Sequence, residues 1–275
     1  MTRLPSLVLA GALSALTLQV ALAQQEQPAA TTESYNPVSG QAGKDVVWVP
    51  TQQNLVDRML DMAKVTKDDK VVDLGSGDGR TVITAAKRGA RAHGIEYNPD
   101  MVGLARRNAE QEGVSDRATF EQGDIFEKDF SDADVVTLFL LTQLNVKLRP
   151  TLLEMEPGTR VVSNTFTMED WVPDETVDAG ADCTSFCRAY KWIIPAKVEG
   201  SWRLDGGELK LAQTYQMLSG TLSRDGTAHE ISDAKMNGRE ISFMANGQRY
   251  VGEVQENRIS GTIEGGSAWE AERAI

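Results

Sequence analysis

Residues 71–80 read VVDLGSGDGR, and the fold turns on how this stretch is read. Val71, Val72 and Leu74 form a short apolar run of the kind shown by a strand buried on both faces. Gly75, Gly77 and Gly79 follow, interleaved with Ser76 and Asp78, so the chain turns sharply where the strand ends. RTVITAAKR (80–88) then has helical composition, and Gly89 stops it. In the order strand, glycine turn, helix, the helix N-terminus points its N–H groups and positive dipole end at whatever lies over the turn.

Working outward, strands and helices alternate. RAHGIE (91–96) reads as a second strand. NPDMVGLARRNAEQEG (98–113) reads as a helix capped by Asn98, with Pro99 at its first position and Gly113 closing it. RATFEQGD (117–124), ADVVTLFL (133–140) and TRVVSNT (159–165) are three further strands, and a helical stretch between the last two is expected to break near Pro150. Upstream, Leu55, Val56, Met59, Leu60 and Ala63 lie on one helical stripe, with Thr51 as the expected N-cap after Pro50. This alternation implies a parallel sheet with helices on both faces, an α/β Rossmann-like, doubly wound architecture.

After Thr165 the pattern changes. ETVDA (175–179) and CRAYKWIIPA (187–196) read as two strands joined by a loop that carries Cys183. From Val198 onward, SWRL, ELKLAQTYQM, SGTLS, EISDAKM, REISFMA, QRYVGEV, RISGTIE and SAWEAER read as short strands punctuated by Gly, Asn and Asp. They make a small C-terminal antiparallel β domain, a meander or barrel, over residues 198–275.

Three acidic residues fall at successive strand ends. Asp73 lies just before the glycine turn, Glu96 ends the second strand, and Asp124 follows the third. A carboxylate at the second position accepts from both ribose hydroxyls. One at the third accepts from an exocyclic adenine amine, while Asp73 disfavours a diphosphate and suits an amino group. Amino-acid tail, ribose and adenine together are S-adenosylmethionine (SAM). Gly75 and Gly77 lie against the tail. The alternative is that the three carboxylates only cap or turn the chain.

On these segments, with VPTQQNLVDRML, GDIF and VVTLFLLTQLNVKLRPTLLEMEPGTRVVSNTF, the chain resembles class I SAM-dependent methyltransferases. Within them it is most similar to the group containing the mitochondrial lysine methyltransferases of the ATP synthase c-subunit and the adenine nucleotide carrier. The resemblance implies a seven-stranded sheet over residues 46–197 whose last two strands form an antiparallel hairpin. It also implies N-methylation of a lysine in a protein acceptor, with a small-molecule acceptor as the alternative. Thr142, Gln143 and Asn145, just after the fourth strand, are the candidate catalytic residues. The polar-Pro-Pro-aromatic motif of many N-methyltransferases is absent there, and these residues otherwise simply start a helix. Trp48 and Thr51 are candidates to close the cofactor site. A second functional reading is an exported Rossmann-like binding module that has lost methyl transfer.

Composition bounds the partners. Of 275 residues, 40 are Asp or Glu and 28 are Lys or Arg, a net charge of −12, and no basic run suits nucleic acid. Arg3, an apolar run from Leu7 and the ending Ala21-Leu22-Ala23 read as a signal peptide (1–23) cleaved after Ala23, with a polar, disordered leader over 24–45. The mature chain is then periplasmic or secreted and has no transmembrane segment; the rival is an uncleaved N-terminal anchor. Cys183 and Cys187, the only cysteines, are expected to pair across a hairpin turn in an oxidising compartment, with two free thiols as the alternative. They are too few for a closed zinc site, and no metal is expected.

Overall fold

The computed structural model describes Met1, Thr2 and residues 35–274; the rest of the expected signal peptide, its cleavage site and leader residues 24–34 lie outside the described residues. The fold is that of the unit beginning at Tyr35. Among the described residues no helix is long and apolar enough to cross a membrane.

The first sheet has seven strands: β1 (Lys70–Leu74), β2 (Arg91–Glu96), β3 (Ala118–Gln122), β4 (Val135–Leu138), β5 (Arg160–Asn164), β6 (Glu175–Asp178) and β7 (Arg188–Ile193). Their order is β3-β2-β1-β4-β5-β7-β6, with β1 to β5 parallel and β7 antiparallel to both neighbours. The order reverses between β1 and β4, and such a switch point opens a crevice at the strands' carboxyl ends.

Four helices cover this sheet: α1 (Gln53–Met62), α2 (Arg80–Lys87), α3 (Pro99–Gln111) and α4 (Thr142–Leu152). Side-chain alternation sorts the β1 residues. Val71 joins one core with Leu55, Leu60, Val82 and Ala105 from α1 to α3, while Val72 and Leu74 join a second core with Leu148 and Leu152 from α4. Residues of the run are thus buried on both faces, which is why it shows no polar alternation. Asn98 caps α3 by accepting from the Asp100 N–H at 2.9 Å, and Gly113 follows that helix with φ +68°.

Several local expectations are corrected. Gln52, not Thr51, is the N-cap residue of α1, and it offers no side-chain cap. Thr51 is buried instead: its carbonyl accepts from Arg80 at 2.8 Å, and its hydroxyl accepts from Asn164 at 3.2 Å. Pro150 does not break α4, which runs two residues past it to Leu152. So close to the helix end, the missing N–H costs a single backbone bond. Residues 35–45 are not an unstructured leader. Gly40 N–H donates to the Trp48 carbonyl at 2.8 Å and Trp48 N–H to the Gln41 carbonyl at 2.9 Å, making a strap anchored by the following Trp48.

The second sheet comprises β8 (Gly200–Leu204), β9 (Gly207–Thr214), β10 (Met217–Arg224), β11 (Thr227–Glu230), β12 (Ser232–Asn237), β13 (Glu240–Ala245), β14 (Gln248–Gln255), β15 (Arg258–Ile263) and β16 (Ala268–Arg273). Consecutive strands pair antiparallel from β12 to β16, β16 returns to β8, and β8–β9, β9–β10 and β10–β12 complete the circuit. This is a closed meander barrel with β11 as an extra strand on β10, and closure removes the free edges of its wall. Trp202, Phe243, Tyr250 and Trp269 help to fill the interior. ELKLAQTYQM is not one strand: it turns at Tyr215, whose φ is +54°. The turn is held from outside the barrel, by stacking of Tyr215 on Trp171 at 5.4 Å and by a hydrogen bond from Trp171 to Gln216 at 2.9 Å. β11 has no counterpart among the expected strands.

Cys183 and Cys187 form a disulfide, with Cα atoms 5.6 Å apart, in the loop joining β6 to β7. The bridge packs on the core beneath α1 to α3. Because it spans only four residues of sequence, it removes little chain entropy. Replacing both cysteines by Ser is expected to cost about 2 kcal/mol, measured by urea unfolding of the oxidised protein and the variant. A difference near zero, or two titratable thiols in the denatured, unreduced protein, contradicts this.

Candidate functional site

The cleft lies at the carboxyl ends of β1, β2 and β4 and is lined by Asp73, Gly75, Gly77, Glu96 and Asp124. The strap closes one side through Lys44, Trp48 and Thr51. Among the described residues no lining residue lies beyond Leu144, so no barrel strand lines the cleft.

The glycine turn is shaped for close approach. Gly75, Gly77 and Gly79 have φ of +83°, +53° and +85°, the left-handed region where a side chain is strained. A Cβ on Gly77 would come 2.5 Å from the Trp48 ring nitrogen, and one on Gly79 would come 2.7 Å from the Phe120 ring. Gly77 therefore keeps the cleft open beneath the strap, whereas Gly79 lets α3 and β3 pack. Among the described residues the buried Ser76 hydroxyl in this turn has no hydrogen-bond partner.

Glu96 ties the turn to the end of β2. One carboxylate oxygen accepts from the Gly77 N–H at 2.9 Å and the other from the Asn98 N–H at 2.9 Å. Asp124 accepts from the Phe126 N–H at 3.0 Å and forms an ion pair with Lys44 of the strap. The hydrogen bond from Lys44 holds the Asp124 carboxyl below its ordinary range, and the same bond raises the lysine. Asp73 behaves oppositely. It is buried, and burial pushes its pKa up to about 7, opposed by a 2.6 Å hydrogen bond from Thr137 and reinforced by the charges of Glu96 and Asp78. The Asp78 charge is met by Arg80, whose Nε lies 3.0 Å away.

These residues fit a ligand with a cationic amino group, a diol and an adenine. A buried carboxyl lines the cleft at the end of β1, Gly75 and Gly77 lie beside it without side chains, and carboxylates follow at the next two strand ends. Tyr97 and Ile125, each directly after an acidic strand-end residue, add apolar surface to the cleft. That adjacency was a readable signal for both. Lys44 carried no such signal, because it is 80 residues from Asp124 in the chain.

Thr142, Gln143 and Asn145 do not line this cleft. Asn145 is fully buried and donates to the carbonyls of Phe166 and Thr167 at 3.1 and 3.3 Å and to the Ser163 hydroxyl at 3.2 Å. Its place is in fastening the segment after β5.

Replacing Glu96 by Ala removes both backbone anchors and the expected diol contact. With charge-assisted bonds worth roughly 1.5–3 kcal/mol, S-adenosylhomocysteine affinity is expected to fall about tenfold to several hundredfold by calorimetry. An unchanged affinity would remove Glu96 from the site.

Comparison with known proteins agrees with this geometry. Residues 73–175 match the family model for the ANTKMT methyltransferase domain. A protein-lysine N-methyltransferase of Saccharolobus islandicus is 49% identical over 135 residues, covering 48% of this chain and 84% of that protein. The adenine nucleotide translocase lysine N-methyltransferase of Mus musculus is 36% identical over 139 residues, covering 50% of this chain and 60% of that one. A crystal structure of an RNA methyltransferase from Salinibacter ruber in complex with S-adenosylhomocysteine superposes with a TM-score of 0.51 at 51% identity, covering 55% of this chain and 96% of that one. With a turn, a switch-point cleft and an acidic series that fit SAM, the chain belongs to the family of SAM-dependent methyltransferases that includes these protein-lysine N-methyltransferases.

Proposed function

We propose that the protein N-methylates a lysine side chain of a protein acceptor, and that it does so outside the cytoplasm after cleavage behind Ala23. The observation that carries the acceptor is the 49% identity to a protein-lysine N-methyltransferase across most of that protein. The cleft supports it. Leu138 at the end of β4, with Phe139, Leu140 and Leu144 after it, gives an apolar wall, and such surroundings favour the neutral amine that a nucleophile must be. Bound SAM would supply a methyl group on a sulfonium, open to the amine lone pair, with the C–S bonding electrons left on the thioether. Asp73 would hold the ammonium of the cofactor's tail, Glu96 the ribose and Asp124 the adenine amine, which would require Lys44 to share or leave Asp124. Trp48 and the strap exclude water from above. The net charge of −12 favours a cationic protein surface over nucleic acid. Export is supported by the N-terminal sequence and by the Cys183–Cys187 disulfide.

The test is product analysis. Methyl-labelled SAM is incubated with the protein and an envelope extract, and label is followed into protein, nucleic acid and small molecules. Methyl-lysine in hydrolysed protein is the expected product; label confined to RNA or to small molecules overturns the acceptor. For the location, the intact mass of protein made in a Gram-negative host is expected to start at Gln24. A chain that keeps residues 1–23 contradicts export with cleavage.

A further inference from the structure

Three phenylalanines meet at one side of the cleft mouth: Phe139 just after β4, Phe166 just after β5, and Phe186 in the disulfide loop. Their ring centroids are 5.2 Å (Phe139–Phe186), 6.2 Å (Phe139–Phe166) and 6.3 Å (Phe166–Phe186) apart. None belongs to the hydrophobic cores, and Phe186 is 37% exposed. Phe139 also lines the cleft, so the aromatic surface runs from solvent to the cofactor pocket.

The backbone is strained to hold two of these rings. Phe186 has φ +55°, and Thr165, directly before Phe166, has φ +63°. Non-glycine residues rarely adopt this region, and a β-branched one is a clear outlier there. The surrounding structure must offset the strain at each position. It does so visibly. The Cys183–Cys187 bridge brackets Phe186, and the Cys187 carbonyl accepts from Ala179 N–H at 2.7 Å. The Thr165 N–H donates to the Arg188 carbonyl at 2.7 Å. The Phe166 carbonyl accepts from Ser163 at 2.7 Å and from Asn145 at 3.1 Å. Burying apolar area does not explain strain kept to leave a large ring half in water. Presenting a fixed aromatic face to a ligand does.

We propose that Phe139, Phe166 and Phe186 form the acceptor subsite, an aromatic lip that takes the alkyl stem and the methylated ammonium of the target side chain. Phenylalanine faces attract a cation through the ring quadrupole without hydrogen bonds. The lip can therefore hold an amine that has already gained methyl groups and lost its N–H donors. Asn145 is then a positioning residue, acting through the Phe166 carbonyl. This deepens the lysine reading above and rests on it.

The test uses a small probe and no methyl transfer. Acetyl-trimethyllysine amide and its uncharged tert-butyl carbon isostere are titrated into the disulfide-intact protein saturated with S-adenosylhomocysteine. A cation–ring interaction predicts that the wild type prefers the cation by about two- to thirtyfold. Phe186→Leu keeps the apolar bulk, so it is expected to bring the two probes within about twofold of each other while S-adenosylhomocysteine affinity stays unchanged. The unchanged cofactor affinity also shows that the variant is folded. Equal binding of both probes by the wild type, no binding of either, or an undiminished preference in Phe186→Leu each overturns the lip. A protein that passes this test yet labels no protein lysine would overturn the proposed acceptor alone.

Discussion

Asp73→Asn is expected to make the free protein more stable at pH 8 and a poorer cofactor binder. Burial raises the Asp73 pKa from 3.8 to about 7. Below pH 3.8 the carboxyl is protonated in the folded and the unfolded chain alike and carries no penalty. Between 3.8 and about 7 the unfolded chain loses the proton first, so stability falls with rising pH, and above 7 the loss is complete. The span corresponds to roughly 4 kcal/mol. Asn never ionises and can still accept from Thr137, so the variant should melt higher at pH 8 and lose most of that advantage near pH 4. Binding shows the other side. The cofactor's ammonium needs the carboxylate, so wild-type affinity for S-adenosylhomocysteine should rise between about pH 6 and pH 8. The variant should bind roughly ten- to a hundredfold more weakly at pH 8 with a flatter profile. A variant less stable than the wild type at pH 8, or a wild-type affinity indifferent to pH, contradicts this role.

Gly77→Val should all but abolish cofactor binding. At φ +53° a β-branched residue is strongly disfavoured, and its Cβ would meet Trp48 at 2.5 Å. Relief requires the strap to lift or the turn to shift, and a shift also breaks the 2.9 Å bond from the Gly77 N–H to Glu96. Affinity is expected to fall by at least about a hundredfold, with thermal stability lowered by about 1–3 kcal/mol. Trp48→Ala in the same background should recover part of the binding by removing the clash, while the backbone strain remains. Full wild-type affinity in Gly77→Val would mean that the turn does not approach the ligand.

The parallel half of the fold was legible because its signals are local. Apolar run, glycine turn and capped helix succeed one another within a few residues, and the acidic residues at strand ends need only the strands to be in register. The structure brings Asp73, Glu96 and Asp124 to one cleft. What sequence reading missed is held by distant partners. Lys44 meets Asp124, and Thr51 is drawn from a capping role by Arg80 and Asn164. Tyr215 turns the chain with no Gly or Pro, because stacking on Trp171 and a hydrogen bond to Asp170 fix it from outside the barrel. Closure of the meander depends on β16 finding β8, far earlier in the chain, with Ala271 opposite Leu204 and Arg273 opposite Trp202, which alternation along a strand cannot reveal. Phe139, Phe166 and Phe186 come from three separate segments, and only the sheet order makes them neighbours. Asn145 looked like a group for the reaction because polar residues after the fourth strand often are. Its burial and its bonds to the Phe166 segment place it behind the aromatic surface instead.

The most direct measurement is titration of S-adenosylhomocysteine into the wild-type protein by calorimetry at pH 8. One site per chain with a dissociation constant in the micromolar range or tighter is the expected result, accompanied by a raised melting temperature. No heat and no thermal shift at millimolar ligand would contradict the assignment of this cleft to the cofactor.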